Sequence, residues 1–269
     1  MQIASRQCVW DEGHVCTEIG VVMTKATGLY LRFFCNSDSI TGATINWGDG
    51  EISTLSAGEG DASVEHTYRR TGTYTIKLKG VTRLGLRMLD GHPYYNYDAA
   101  ILSIVDYSGD LIESRSAAWQ RCLNLKKYIA PNVGWMGQRD FAYCSSLKEA
   151  VLGDVIVFYD GTFQYCTALE TCTMTRAWEV WHYVWKGCTA LKELHLGNVY
   201  QFGRGIFEST PNLKDIWISN KTVAQIQMKA SSGNIVKGSA AASFPWGASS
   251  NCRFHGTDGI VLGNGTQIQ

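Results

Sequence analysis

The sequence predicts a mainly β protein in three parts: an antiparallel β domain over residues 1–85, a solenoid of 22-residue coils over 86–226, and a C-terminal cap over 227–269. Three observations predict it. Cysteines recur at Cys122, Cys144, Cys166 and Cys188, with Thr210 in the next place, so the step is 22 residues every time. Other columns hold the same phase: Trp119, Phe141, Phe163, Trp185 and Phe207 lie three residues before, and Leu125, Leu147, Leu169, Leu191 and Leu213 three residues after. Before residue 85 that period is absent, and the short runs "GVVMT", "LYLRFF", "ATINW" and "YTIKLKG" are separated by Gly, Asn, Asp and Ser. A fixed period of about 20–29 residues marks a solenoid, in which neighbouring coils complete each other's core. Short alternating runs between turn residues mark strands.

Within the first part, "INWGDGEIST" places Gly48-Asp49-Gly50 between two strand-like runs, residue types that tolerate the positive φ of a tight hairpin. "VEHTYRRTGTYTIKL" predicts a second hairpin around Arg70 to Gly72. The combination of "WGDG" (Trp47 to Gly50), "HTY" (His66 to Tyr68) and "GTYTI" (Gly72 to Ile76) resembles the PKD-like, immunoglobulin-like family of extracellular proteins, over Leu29 to Gly80. That resemblance implies a β-sandwich that acts as a spacer or makes weak protein and glycan contacts.

The solenoid begins near Ile101 with the irregular coil "ILSIVDYSGDLIESRSAAW", and five regular coils follow from about residue 119. Each regular coil ends in an apolar pair spaced i, i+2: Tyr128/Ala130, Ala150/Leu152, Cys172/Met174, Leu194/Leu196 and Ile216/Ile218. That spacing predicts a short strand with one buried face. Two further inward columns are expected, Val133, Val155, Ala177, Val199 and Met136, Phe158, Val180, Phe202. The coil "F-x-x-C-x-x-L-x-x-apolar-x-apolar" resembles the BspA-type leucine-rich repeat family of bacterial surfaces and of phage and protist genomes, over roughly residues 100–220. It departs from that family where "I-x-I-P" becomes "HLGN" or "TMTR", with Pro131 the only proline at that turn. After Ile226 the rhythm stops, and the tail supplies Phe244, Trp246, Phe254, Ile260 and Leu262 as the cap that an open solenoid end requires.

Composition narrows the function. Lysine plus arginine equals aspartate plus glutamate at 24 each, without a basic run, which excludes a nucleic-acid partner. The opening "MQIASRQCVWDEGHVC" holds no apolar run of signal-peptide length, and no segment approaches the length of a membrane-spanning helix, so neither a leader nor membrane insertion is expected. Nine cysteines, four of them in one repeat column, predict mostly free, buried thiols. A straight row of thiols cannot converge on a tetrahedral zinc ion, and parallel Cβ vectors do not suit disulfides, so the cysteine column reads as structural.

No cofactor or metal site is expected: Asp49 and Glu51 fall short of the six or more oxygens that calcium requires. His255 and Asp258, with Ser249 and Ser250 nearby, offer a hydrolase alternative, but no nucleophile elbow accompanies them. Catalysis is therefore not expected.

The recognition candidates are aromatic. Trp178 falls beside Tyr200 and Tyr159 beside Trp181, one coil apart, with Trp135 and Tyr183 close by. Exposed Trp and Tyr with few charges are the residue types of interface hot spots and sugar-stacking sites. A second exposed row is expected on the leucine-bearing strand, at Ile129, Val151, Thr173, His195 and Trp217. The resulting expectation is a non-catalytic adhesion protein that binds a protein or glycan on a cell surface, itself extracellular or cell-surface. The alternative is a structural phage or prophage component, virion-associated on a tail or capsid.

Overall fold

The computed structural model describes residues 16–23, 29–36, 42–55, 62–86, 99–114, 116–227 and 247–268. The expected period-2 runs of the first part become β1 (Thr17–Met23), β2 (Leu29–Asn36), β3 (Ala43–Asn46), β4 (Ile52–Leu55), β5 (Ala62–Tyr68), β6 (Gly72–Lys79) and β7 (Arg83–Leu86). Along β1 the alternate residues Thr17, Ile19, Val21 and Met23 are buried, as the pleat dictates. Strands β1, β3, β4 and β6 belong to one sheet and β2, β5 and β7 to another. Ile19, Ile45 and Ile76 from the first sheet share one core with Val64 and Leu84 from the second, so the two sheets form a sandwich.

The turn between β3 and β4 closes where Trp47 N donates to Glu51 O at 3.0 Å. Gly48 has φ of 83° there, and a Cβ on it would strike the backbone of Thr75. The second expected hairpin is not one. Strand β5 pairs with β2, whereas β6 pairs with β1 and β3, so residues 69–71 carry the chain from one sheet to the other. The arch lets Tyr68 and Ile76, on strands adjacent in sequence, enter the same core from opposite layers.

Strands β8 (Ala99–Asp106) and β9 (Glu113–Ser114) join this sandwich to the solenoid strands β10 (Lys127–Ala130), β11 (Trp135–Met136), β12 (Glu149–Leu152), β13 (Asp154–Phe158), β14 (Thr171–Thr173), β15 (Arg176–Val180), β16 (Glu193–His195), β17 (Gln201–Phe202) and β18 (Asp215–Trp217). Strand β8 pairs antiparallel with β1 and parallel with β10, while β9 pairs parallel with both β7 and β11. Two eight-stranded sheets result, ordered β14-β12-β10-β8-β1-β6-β3-β4 and β17-β15-β13-β11-β9-β7-β2-β5. Both sheets run unbroken across residue 85.

Each coil adds one strand to each side and closes with a turn segment. The predicted columns face the core: Trp119, Phe141, Phe163, Trp185 and Phe207 are all buried, as are the five leucines. Coil-to-coil register is visible in ion pairs between residues 22 apart: Lys127 with Glu149 at 3.1 Å, Asp154 with Arg176 at 3.2 Å and Lys186 with Glu208 at 2.6 Å. Exposed pairs of this kind contribute only ~0–1 kcal/mol each. The apolar columns and backbone ladders do most of the holding.

The turn segments carry a ladder of their own. Each coil holds two residues with left-handed φ, four apart: Ala117 and Arg121, Arg139 and Tyr143, Gly161 and Tyr165, Tyr183 and Gly187, Gly205 and Ser209. Amides between and at these positions bond the next coil, as in Arg139 N to Asp160 O at 2.9 Å, Phe141 N to Thr162 O at 2.7 Å and Tyr143 N to Gln164 O at 2.8 Å. The turn where the proline pattern fails is equally tight. Gly153 stands one coil after Pro131, and a side chain there would collide with the Pro131 carbonyl.

The cysteine column is structural. Cys144 Sγ donates to Trp119 O, Cys166 Sγ to Phe141 O and Cys188 Sγ to Phe163 O, at 3.0, 3.0 and 3.1 Å. A small residue with a weak donor fits between two coils while serving the carbonyl of the preceding one. Cys122, Cys144, Cys166, Cys172, Cys188 and Cys252 are free thiols, whereas Cys16 is disulfide-bonded.

At the C-terminal end, α1 (Val223–Gln227) precedes β19 (Arg253–His255), β20 (Ile260–Leu262) and β21 (Gln267–Ile268). Strand β19 pairs parallel with β18, placing Phe254 beside Ile216, and β20 and β21 continue antiparallel. The five-stranded sheet β16-β18-β19-β20-β21 thus extends the last coils with tail strands. Phe244 and Trp246, expected in the cap, lie outside the described residues.

Candidate functional site: aromatic rows on the solenoid

Strands β13, β15 and β17 lie parallel, with Val155 beside Ala177 and Val180 beside Phe202, so side chains 22 residues apart become neighbours. Trp178 on β15 and Tyr200 just before β17 stack at a centroid distance of 5.4 Å and 8° between planes. Tyr159 and Trp181, after β13 and β15, meet at 5.3 Å and 58°. Trp181 Nε1 donates to Glu179 Oε2 at 3.1 Å, which satisfies the one polar group of that indole. Trp135, Trp178, Trp181 and Tyr200 are between 37% and 43% exposed, and Ile156 in the same region is 40% exposed.

Two of the six predicted residues behave differently. Tyr159 is half-buried. Tyr183 is also half-buried and turns toward cations, with Lys186 Nζ 4.9 Å and Arg204 Cζ 5.4 Å from its ring centroid. Its backbone is left-handed, φ 59°.

Further stacks lie outside the predicted set. Tyr143 and Tyr165 stack at 5.0 Å, with Arg121 Cζ 5.4 Å from the Tyr143 ring. They share a 22-residue spacing, so the repeat itself carried the signal. On the leucine-bearing face, His195, Trp217 and His255 form a continuous stack at 4.1 and 4.5 Å. Of the row expected to be exposed there, Thr173 and His195 are exposed and Val151 and Trp217 half-buried. Ile129 departs from that expectation: it is 4% exposed, beside Val105 where β10 meets β8 of the junction.

The hydrolase alternative meets a different geometry. His255 Nε2 is 2.7 Å from Asp215 Oδ1, and Arg253 binds the same carboxylate through Nε and a terminal nitrogen. Burial alone would raise the Asp215 carboxyl, but these two partners hold it below its ordinary value. Asp258, the expected partner of His255, instead accepts a hydrogen bond from Val223 N at 2.7 Å.

The "WGDG" and "HTY" motifs also meet. His66 stacks on Trp47 at 4.8 Å, its Nε2 is 2.7 Å from Asp49 Oδ2, and Tyr68 Oη donates to Trp47 O at 2.9 Å. Trp47 Nε1 donates to Ser53 Oγ at 2.9 Å. This network locks the β3–β4 turn onto β5. Among the described residues no group of three His, Cys, Asp or Glu side chains is placed to hold a metal ion. None of the described helices is long and apolar enough to cross a membrane.

Residues 112–235 match the family described as BspA type Leucine rich repeat region, in six copies. Neither a curated protein nor a solved structure matches the chain. Repeats of this type point to protein interaction or adhesion, are typically non-catalytic and typically occur on surface or extracellular proteins. The stacked coils, their 22-residue register and the matched residues together identify residues 112–235 of this mainly β chain as a BspA-type leucine-rich repeat region.

Proposed function

We propose that the protein is a non-catalytic recognition and adhesion protein. The solenoid presents Trp135, Tyr159, Trp178, Trp181, Tyr183 and Tyr200 to a protein or glycan ligand on a cell surface, with the N-terminal PKD-like sandwich as its spacer. One observation carries this reading: Trp135, Trp178, Trp181 and Tyr200 are each more than a third exposed in columns where the coil itself needs no aromatic. Gly134 shares the column of Trp178, and Gly137 and Gly203 share that of Trp181. Contiguous exposed rings of this kind are what soluble monomers avoid unless the surface binds something. Stacking between coils pre-orders the rings, which lowers the entropy cost of fixing them in a complex.

The test is a binding screen of the full chain against glycan and cell-surface protein arrays. Saturable binding that weakens on Trp178→Ala is the expected result. Binding that is unchanged by that substitution would remove the aromatic rows from the reading.

A further inference from the structure

The leucine-bearing strands form one wall of the solenoid, and that wall is divided. Strands β10, β12 and β14 belong to the eight-stranded sheet that runs back into the sandwich, whereas β16 and β18 belong to the five-stranded sheet that runs on into the tail. Strand β14 of the third coil and β16 of the fourth lie beside each other without pairing. The amides at the start of these strands show the same break. Lys148 N donates to Lys126 O at 2.9 Å, Glu170 N to Lys148 O at 3.0 Å and Lys214 N to Lys192 O at 2.8 Å, but among the described residues no such bond joins Lys192 N to Glu170 O.

The two coils are joined on either side of the break. Ala190 N donates to Thr167 O at 3.2 Å before it, and Ala177 N donates to Leu196 O at 2.8 Å after it. On the opposite wall β15 pairs with β17, and the turn ladder continues through Tyr165 N to Lys186 O at 2.7 Å. The break is therefore a slit confined to one wall.

Strand geometry names the groups that face it, because successive peptide groups of a strand point to opposite neighbours. Thr171 N donates to Lys148 O, so Thr171 faces β12 and Cys172 faces β16. Leu196 N donates to Trp217 O, so Glu193 and His195 face β14. Backbone groups without a ladder partner must turn to water, and such places open at lower free energy than the core around them. The side chains agree. Cys172 and Met174, which point inward from β14, are 5% and 6% exposed, the highest values in their columns, whereas Leu194 and Leu196 across the slit are 0% exposed.

We propose that the solenoid opens locally at this slit, admitting water and small reagents to Cys172 and Met174 while the opposite wall and the turn ladder keep the coils joined. The Trp178–Tyr200 stack spans the same two coils on the opposite wall, so the opening alters the spacing of those rings. That consequence rests on the recognition role proposed above, whereas the slit does not.

Two measurements on the full chain without ligand test the opening, so its failure would leave the recognition role standing. Hydrogen exchange resolved to single amides and corrected for intrinsic rates should alternate along the strands, with Cys172, Glu193 and His195 exchanging about tenfold or more faster than Thr171 and Leu196. Timed alkylation of the native chain with iodoacetamide, read by peptide mass, should modify Cys172 about tenfold or more faster than Cys166 and Cys188, which are buried in the same two coils. Protection of Glu193 and His195 equal to that of Leu196, or alkylation of Cys172 no faster than that of Cys166, would overturn the proposal.

Discussion

Trp178 and Tyr200 stand one coil apart with their rings 8° from parallel and their centroids at 5.4 Å. Trp185 and Phe207, also one coil apart, stack at 6.0 Å and 13° in the core. The same coil spacing thus generates an outer ladder and an inner one, and the two make opposite demands on mutation.

Replacing Trp185, which is 0% exposed, by alanine should cost about 3–5 kcal/mol of stability, the usual penalty for emptying a buried aromatic site. Trp178→Ala and Trp181→Ala remove rings 41% and 37% exposed, and should cost about 1 kcal/mol, the centre of the ordinary range for point changes. Chemical denaturation of the three variants beside the parent measures the contrast. A large loss in all three would place the outer ladder in the core.

The cysteine column should be reduced and unreactive. Burial pushes the thiols of Cys122 and Cys172 up to about 12 and those of Cys144 and Cys166 well above the ordinary value, so little thiolate is present at neutral pH. Nine cysteines less the two of one disulfide leave seven thiols, of which six are seen free. Alkylation under native conditions should be slow, and denatured, unreduced protein should titrate seven thiols. A count of one would contradict the structural role of the column.

Two carboxylates should respond to pH with opposite sign. Burial alone would raise Asp49, but the His66 hydrogen bond and the Glu51 amide leave it below its ordinary value. Its contribution is therefore present above the unfolded pKa of about 3.9 and is lost as pH falls through the lower folded value. Burial drives Asp140 well above its ordinary value, outweighing the Ser114 hydroxyl and the Trp119, Gly137 and Ala118 amides, with Tyr128, Cys122 and Cys144 as its titratable neighbours. Its contribution is full below about 3.9 and is lost as pH rises. Relative to the parent, Asp49→Asn should lose most at neutral pH and nothing in acid, whereas Asp140→Asn should gain as pH rises from about 4. Melting curves across pH check both, and parallel curves for parent and variants would contradict the assignment.

Truncation after Gln227 should expose the edge of β18. Ile216 pairs with Phe254 of β19, and Phe207 meets the same ring at 6.4 Å. Burial of such side chains is worth roughly 1.5–3 kcal/mol each, and an open apolar strand edge invites aggregation. Light scattering of the truncated chain should show association, and a soluble fragment with the parent's melting temperature would contradict the capping role of β19.

Much of this was legible in the sequence because the repeat multiplies each signal. A column repeated five times identifies its buried face, and neighbours 22 residues apart follow from it, which placed Trp178 against Tyr200 and Tyr159 against Trp181. What the period does not encode was not legible. Residues 69–71 look like a hairpin locally, but the choice between hairpin and arch is made by β2 and β1, which claim β5 and β6 for different sheets. His255 finds Asp215, 40 residues away, because the tail returns beside β18 at a spacing of 38 and not 22. Ile129 is buried because its strand adjoins the junction with the sandwich, a contact outside the repeat.

The most direct measurement is ligand affinity for three variants of the full chain: Trp178→Ala, Trp181→Ala and Trp217→Ala. Trp217 is the control, an indole held between His195 and His255 on the leucine-bearing face. The proposed role of the outer ladder predicts a loss of about 30-fold or more for Trp178→Ala and Trp181→Ala, equivalent to about 2 kcal/mol, with Trp217→Ala close to the parent. Unchanged affinity in the first two variants, or a loss confined to Trp217→Ala, would contradict it.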